Sequence, residues 1–199
     1  DFWLKLGVSD KRIARLPKKD NWWGPAGATG PCGPDTEMFF WTGDSENVPE
    51  MFKAEDKRWV EIWNDVFMQY NKLTDGTYEL LKQKNVDTGM GLERTLAVLS
   101  GLDDNYKTGL FKNLIHKIET LSDKNYDTGD ETIKRALRII ADHLKAASFI
   151  MADDKGITPS NIGQGYIVRR LIRRAIRYGR QLEIKEPLWT KEIAKIVAH

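Results

Sequence analysis

The order of apolar and polar residues divides this chain of 199 residues into two halves with different periodicity. Residues 58–73, "RWVEIWNDVFMQYNKL", alternate in places and are rich in β-favouring residue types, which predicts a long strand. A shorter aromatic strand is predicted in "TEMFFWTG", and "TYELLKQKNVDTG" predicts a returning hairpin strand after the turn "TDG". The first half is therefore expected to be rich in β-structure.

Helical periodicity begins in "MGLERTLAVLSG", which predicts a helix with Leu92, Leu96 and Leu99 on one face and an end at Gly101. Further helices are expected in residues 108–122, 131–153 and 166–182, and a short helix capped by Ser9 is expected in "GVSDKRIARLP". The apolar positions of the first two later helices are Leu110, Leu114, Ile118, Leu121, Ile133, Leu137, Ile140, Leu144 and Ala147. This order predicts an α+β fold with a β-rich domain over 1–101 and a helical domain over 102–199.

The stretch "GPAGATGPCGPDTE" places glycine at every third position, at residues 24, 27, 30 and 33. A collagen helix requires this spacing over long runs, and here it stops at Gly33 between aromatic flanks. The stretch is therefore interpreted as a rigid loop between two strands, which is also a suitable place for a binding loop.

Composition and charge exclude several classes. The single Cys32 excludes an intrachain disulfide, and three scattered histidines give no zinc-ligand spacing, so a structural zinc is not expected. No apolar run approaches the length of a membrane span, so none is expected. The net charge is −3 over residues 1–100 and +5 over residues 101–199, which together give the overall +2. This asymmetry suggests that the second half meets a polyanion.

The segment "YIVRRLIRRAIRYGRQL" predicts a helix with an apolar arc on one side and six arginines on the other. The arginines are Arg169, Arg170, Arg173, Arg174, Arg177 and Arg180, with no acidic residue among them. A solvated basic face is the ordinary interpretation. Mutual repulsion of unpaired guanidinium groups favours a surface for nucleic-acid phosphates instead.

Two further segments carry candidate chemistry in the first half. In "DTGMGLER", Gly89 and Gly91 allow close backbone approach to a ligand, and Arg94 follows at a helix start; packing glycines are the alternative. In "EIWNDVFMQYN", strand alternation puts Glu61 on the face opposite Asn64 and Val66. Asn64 on an otherwise apolar face suggests a small pocket, or else a buried amide bonded to neighbouring backbone.

These segments together resemble the alanyl-tRNA synthetase family of class II aminoacyl-tRNA synthetases. The matching pieces are "DNWW", "TGPCGPDTE", "EIWNDVFMQYN", "DTGMGLERTLAVLSG", "ADHLKAASFIMADD" and "PSNIGQGYIVRRLIRRAIRYGR", in the family's order over nearly the whole chain. The resemblance implies part of a class II antiparallel catalytic sheet followed by a helical region that recognises the tRNA acceptor stem. It implies ATP-dependent activation of alanine and transfer to the 3′ end of alanine tRNA.

The resemblance also implies individual roles. Arg94 would contact the ATP γ-phosphate and Glu61 would hold Mg²⁺ on the ATP phosphates, so these two are the candidate catalytic residues. Asp87 would pair with the α-ammonium of L-alanine, while Trp23, Asn64, Val66 and Gly89 would shape a pocket for one methyl group, with Gly91 in the same motif. Asn161 would read the wobble pair of the acceptor stem. The acceptor-stem phosphates would lie along Arg169, Arg170, Arg173, Arg174 and Arg177. The resemblance also implies a cytoplasmic protein.

The chain also departs from the family pattern. Asp35 stands where the family usually has a cysteine, and Ile162 and Gln164 stand where it usually has glutamate and arginine. The first two class II motifs are expected before residue 1, and the editing and oligomerisation regions after residue 199. The chain is therefore expected to be a fragment that is not fully active alone.

Two other functions are considered. One is an RNA-binding module that has lost catalysis, for which the same arginines would bind acceptor stems without ATP binding. The other is a free-standing editing hydrolase, which needs a zinc set that His116, His143, His199 and Cys32 do not supply at the required spacing.

Overall fold

A computed structural model describes residues 2–198 and divides the chain into two compact units, Asp1–Asp103 and Asp104–His199. The first unit contains a four-stranded antiparallel sheet, and the second contains only helices and turns among its described residues. The predicted α+β fold is confirmed. Assignment of a catalytic and a tRNA-recognising role to residues 1–101 and 102–199 stays a prediction.

The sheet has the strand order β1 to β4, with all neighbours antiparallel. Its strands are β1 (Trp22–Trp23), β2 (Gly30–Trp41), β3 (Trp59–Lys72) and β4 (Tyr78–Met90). The predicted long strand is confirmed as β3. The β3–β4 turn closes with a 2.9 Å hydrogen bond from the Leu73 N–H to the Thr77 carbonyl and uses Gly76 at φ +86°.

The glycine- and proline-rich stretch is only partly a loop, which corrects the sequence interpretation. The loop covers residues 24–29, and β2 already begins at Gly30. Gly33 explains this, because a Cβ atom there would lie 1.9 Å from the carbonyl oxygen of Phe67 in β3. A glycine thus lets the two backbones approach closely, and a register shift lies between Cys32 and Asp35, around Gly33 and Pro34.

The helices of the first unit are short. α1 covers Phe2–Lys5 and α2 covers Leu92–Leu99. The predicted leucine face of α2 is largely exposed, since Leu92 and Leu99 are 58% and 80% exposed and only Ala97 is buried. The helix expected after Ser9 is a single 3₁₀ turn, Asp10–Arg12, without a side-chain capping bond.

Four helices build the second unit: α3 (Lys112–Ser122), α4 (Glu131–Ala152), α5 (Gly163–Gln181) and α6 (Trp189–Ala198). Their apolar faces form one core that includes Ile118, Leu137, Ile140, Ala175 and Ile193. Helix α6 was not predicted, although Trp189, Ile193 and Val197 follow helical spacing. No helix within residues 2–198 is both long and apolar enough to cross a membrane.

A polar cluster joins the start of this unit to α4. Asp104 accepts hydrogen bonds from Arg138 Nη2 at 2.8 Å, from the Tyr106 N–H at 2.9 Å and from the Tyr126 hydroxyl. Burial raises the pKa of Asp104, but these hydrogen bonds outweigh burial and leave the pKa below its usual value. The cluster therefore stays charged and bonded at neutral pH.

Candidate functional site

The register of β2, β3 and β4 lays candidate residues side by side on one face of the sheet. Antiparallel partners share a face, so each row of three residues crosses the three strands. The two rows are Glu37–Asn64–Gly89 and Asp35–Val66–Asp87. Four of the predicted site residues are therefore neighbours, and two acidic residues of β2 join them.

Glu61 lies on this same face, which corrects the expectation from simple alternation. Met38 pairs with Trp63 and Phe39 pairs with Glu61, so β3 contains one extra residue at this point. Such a bulge reverses the alternation of side chains beyond it. Glu61 consequently lies close enough to Glu37 to affect its charge.

Arg94 is positioned by the start of α2. Its Nη1 donates to the Glu61 carboxylate at 2.9 Å and to the Glu61 carbonyl at 3.2 Å. The helix start is attached to β3, because the Gly91 N–H donates to the Ile62 carbonyl at 3.0 Å. The two predicted catalytic residues thus form one ion pair at the edge of the shared face.

Asn64 is held by carboxylates rather than by backbone. Its amide nitrogen donates to Asp35 Oδ2 at 3.1 Å and to Glu37 Oε1 at 3.3 Å. Carboxylates only accept hydrogen bonds, so the amide must present its nitrogen to them. The Asn64 Oδ1 and Asp35 Oδ1 atoms are buried and have no partner within the described residues. Two unused acceptors next to the predicted methyl pocket are suited to a ligand that donates hydrogen bonds.

The face is strongly acidic. Burial, the charge of Glu61 and the charge of Asp35 together raise the pKa of Glu37 above its usual value, although the charge of Arg94 lowers it. A bound cation or ammonium group would relieve this repulsion.

These oxygens also fit Mg²⁺ by chemistry, because it prefers carboxylates and is often held by one or two of them together with substrate phosphates. Within residues 2–198 no group of three or more His, Cys, Asp or Glu side chains is arranged to hold a metal by itself.

A cleft of about 900 Å³ brings Trp23 and Asp87 together. It is bounded by the loop after β1 and by the exposed strand β4. Beside Asp87 on the sheet, Gly89 has open space where a Cβ atom would lie, so a ligand can approach its backbone directly. Gly91 differs, since a Cβ atom there would touch the Arg94 side chain at 3.4 Å.

The sequence reasoning missed Asp35 and Glu37 as site residues. Their spacing of two residues in "PDTE" places them on one strand face, but the glycine and proline spacing makes the stretch look like a loop. Once β2 is recognised as a strand, their pairing with Val66 and Asn64 follows from the register.

The second candidate surface is α5 with the loop before it. All six arginines from Arg169 to Arg180 are exposed, and the opposite side buries Val168, Ala175 and Gly179. Asn161 is exposed just before the helix begins.

The loop that carries Asn161 is attached to the helix, because the Ser160 N–H donates to the Gly165 carbonyl at 3.0 Å. Gly165 is required at this contact, since a Cβ atom there would lie 2.5 Å from the Thr158 carbonyl oxygen.

Comparison with known proteins identifies relatives over almost the whole chain. Residues 1–199 match the family described as "tRNA synthetases class II (A)". The protein "Alanine--tRNA ligase" of Treponema denticola is 53% identical over 186 residues, which cover 92% of this chain and 30% of that protein. Its namesake from Borrelia hermsii is 51% identical over 183 residues, covering 92% of this chain and 31% of that protein.

A relative from a plant also matches this chain. "Alanine--tRNA ligase, chloroplastic/mitochondrial" of Populus trichocarpa is 46% identical over 181 residues, which cover 91% of this chain and 18% of that protein. The chain therefore spans less than a third of the length of these relatives.

Proposed function

Because this chain belongs to the tRNA synthetases of class II (A), we propose that it carries part of the active site of an alanine–tRNA ligase. The proposed reaction activates alanine with ATP to alanyl-adenylate and transfers the alanyl group to the 3′ end of alanine tRNA. The observation that carries the proposal is the shared sheet face, where Asn64 and Asp35 offer unused acceptors between Asp87 and the Glu61–Arg94 pair.

The first step is an in-line substitution at the α-phosphorus of ATP. An alanine carboxylate oxygen forms the new bond, the bond to the bridging oxygen breaks, and pyrophosphate leaves. This step needs positioning and charge stabilisation rather than a protein nucleophile. Arg94 supplies a fixed guanidinium for the γ-phosphate, and Asp87 binds the α-ammonium group.

Mg²⁺, when bound with ATP, would supply charge neutralisation on the phosphates, with Glu61 as its protein ligand. Glu61 and Arg94 form an ion pair with each other, so with ATP bound the guanidinium would donate to phosphate and the Glu61 carboxylate would hold the cation.

In the second step the terminal ribose hydroxyl of the tRNA attacks the alanyl carbonyl carbon. The ester bond to the tRNA forms, the bond to AMP breaks, and the hydroxyl proton is released. Asn161 would read the wobble pair from the minor groove, where A-form RNA exposes base edges. Arg169, Arg170, Arg173, Arg174 and Arg177 would lie along acceptor-stem phosphates. We also expect a cytoplasmic location.

The catalytic half is tested in a chimera in which this chain replaces the matching segment of the Treponema denticola relative. Alanine-dependent ATP–pyrophosphate exchange is expected, and Arg94→Ala should lower it several-fold or more. Gly89→Ala should raise the KM for alanine, because its Cβ atom enters the open space. Gly109→Ala is the matched control, since that glycine also has open space but lies in the helical unit. Exchange that is unchanged by Arg94→Ala would refute the assignment.

The RNA half is tested with Asn161→Ala in the same chimera. Charging of a wobble-pair tRNA should fall while pyrophosphate exchange is unchanged, and the exposed Asn113→Ala should change neither. Equal loss of both activities would indicate a folding defect rather than lost recognition.

The RNA-binding alternative predicts acceptor-stem binding without any ATP binding. Titration of this chain with ATP and Mg²⁺, with and without alanine, distinguishes the RNA-binding alternative from the proposed ligase function. The editing hydrolase has no support from the described residues, because within 2–198 no group of three or more His, Cys, Asp or Glu side chains could hold its zinc; His199 lies outside these residues.

A further inference from the structure

A second basic feature of the helical unit adjoins the exposed arginine face of α5 and shares Arg174 with it. The first turns of α4 and the last turns of α5 line a solvent-open cavity of about 760 Å³. Its charged lining residues are Arg135 and Arg138 of α4, Arg174 of α5, and a single acid, Glu131. Tyr178 of α5 also lines it.

The guanidinium groups in this cavity are not equally compensated. Arg138 is paired with Asp104 at 2.8 Å. Neither Arg135 nor Arg174 takes part in any ion pair recorded within residues 2–198. Glu131 lies one helical turn before Arg135, yet the two side chains form no ion pair in the described part of the chain either. The cavity therefore holds two positive charges without an acidic partner among these residues.

Tyr178 lies close to several of these arginine side chains. The Arg177 guanidinium lies 5.1 Å from the centre of its ring. Burial raises the pKa of the Tyr178 hydroxyl, but hydrogen bonds from Arg174 and Arg177 and the charge of Arg135 outweigh burial and lower it. Arg135 of α4 and Arg174 and Tyr178 of α5 line the same cavity, so positive charge from two helices meets there, which favours an anion.

We propose that Arg135, Arg174 and Tyr178 form a binding site for one RNA backbone phosphate in the cavity between α4 and α5. Arg135 thereby extends the RNA-binding surface from α5 to α4. Two guanidinium groups that converge from different helices can donate to separate phosphate oxygens, and the phenol supplies a further donor. The inference rests on the proposed function, because it takes the RNA to be the acceptor stem that α5 binds.

The test measures binding of an acceptor-stem RNA hairpin to this chain by fluorescence anisotropy over a range of salt concentrations. The slope of log K against log salt is negative, and loss of one phosphate contact should make it less steep by about 0.9. Arg135→Gln is expected to give this change, and adding Arg174→Gln should change the slope little further, because both guanidinium groups bind the same phosphate. Lys112→Gln is the matched control, because Lys112 is an exposed cation on α3 outside the cavity.

The outcomes separate this inference from the proposed function. If Arg135→Gln behaves like Lys112→Gln while Arg173→Gln still makes the slope less steep, the cavity site is wrong and the α5 surface stands. If no arginine substitution changes the slope, the RNA-binding half of the proposed function fails. Binding of inorganic phosphate that is lost in Arg135→Gln without any change in RNA binding would also overturn the inference. Circular dichroism of each variant shows whether it is folded.

Discussion

Replacement of Asp104 by asparagine is expected to destabilise the helical unit more than any exposed charge change. The carboxylate accepts three hydrogen bonds, and an asparagine side chain at this position could not accept all of them, because its amide nitrogen would face either the Tyr106 N–H or the donors of Arg138 and Tyr126. Shape and volume are nearly unchanged. The substitution therefore tests the hydrogen bonds and the charge rather than packing.

The magnitude follows from the burial of the pair. Removal of one partner of a fully buried ion pair costs about 3–5 kcal/mol. The Asp104 side chain is only 13% exposed, but that of Arg138 is 34% exposed, so solvent screens part of the interaction. Hydrogen bonds to a charged group contribute about 1.5–3 kcal/mol, and we expect a loss of about 2 kcal/mol for Asp104→Asn.

The assay is urea unfolding followed by circular dichroism at 222 nm, because α3 to α6 contain most of the helical residues. Asp127→Asn is the matched control, since Asp127 is exposed and should change the free energy of unfolding by less than about 0.5 kcal/mol. Tyr126→Phe removes one hydrogen bond to the carboxylate and should cost about 1.5 kcal/mol, less than Asp104→Asn, because the Asp104–Arg138 pair remains. If Asp104→Asn and Asp127→Asn were equally stable, the cluster would contribute nothing measurable.

Four further outcomes are expected. The pKa of Asp104 is lower in the folded protein than in the unfolded chain, so its charge stabilises the fold fully above the unfolded pKa. That stabilisation is lost as the pH falls through the folded pKa. The difference in unfolding free energy between wild type and Asp104→Asn should therefore narrow below about pH 4. Leu137→Ala empties a fully buried position and should cost about 2–5 kcal/mol in the same unfolding assay. Gly33→Ala forces β2 away from Phe67 and should cost about 1–3 kcal/mol by tryptophan fluorescence, whereas an unchanged midpoint would contradict the close approach. The pKa of Glu37 is raised, so its charge opposes folding at neutral pH; Glu37→Gln keeps the acceptor for Asn64 and should raise the urea midpoint, and a lower midpoint would be evidence against the repulsion.

The long elements could be predicted from sequence because each repeats its signal many times. β3 carries alternating and aromatic residues over fourteen positions, and α4 and α5 keep an apolar face over several turns. The glycine and proline residues at the start of β2 led instead to the prediction of a loop, because both residue types have low strand propensity. What decides this strand is the contact between Gly33 and Phe67, which lies in another strand and is invisible to local patterns.

The sequence pointed to several residues that the structure brings together on one sheet face, but not to how all of them are arranged. Asn64, Val66, Asp87 and Gly89 lie on one face as ordinary alternation requires. Glu61 does not follow alternation, since a bulge depends on pairing with β2 and not on the sequence of β3 alone. Asp35 and Glu37 were missed for the same reason as the strand that carries them.

The contrast between the two kinds of polar cluster is the best argument for where this chain binds ligands. At Asp104 both carboxylate oxygens are used, and every partner comes from the same unit. At Asn64 and Asp35 one acceptor each is buried and unused among the described residues, and burial together with neighbouring carboxylates raises the pKa of Glu37. An unpaired buried acceptor costs about 1–3 kcal/mol, which folding alone gives no reason to keep. The chain satisfies the buried carboxylate of Asp104 where it serves structure, so the unsatisfied acceptors on the sheet support the proposed site for a cationic, hydrogen-bond-donating ligand.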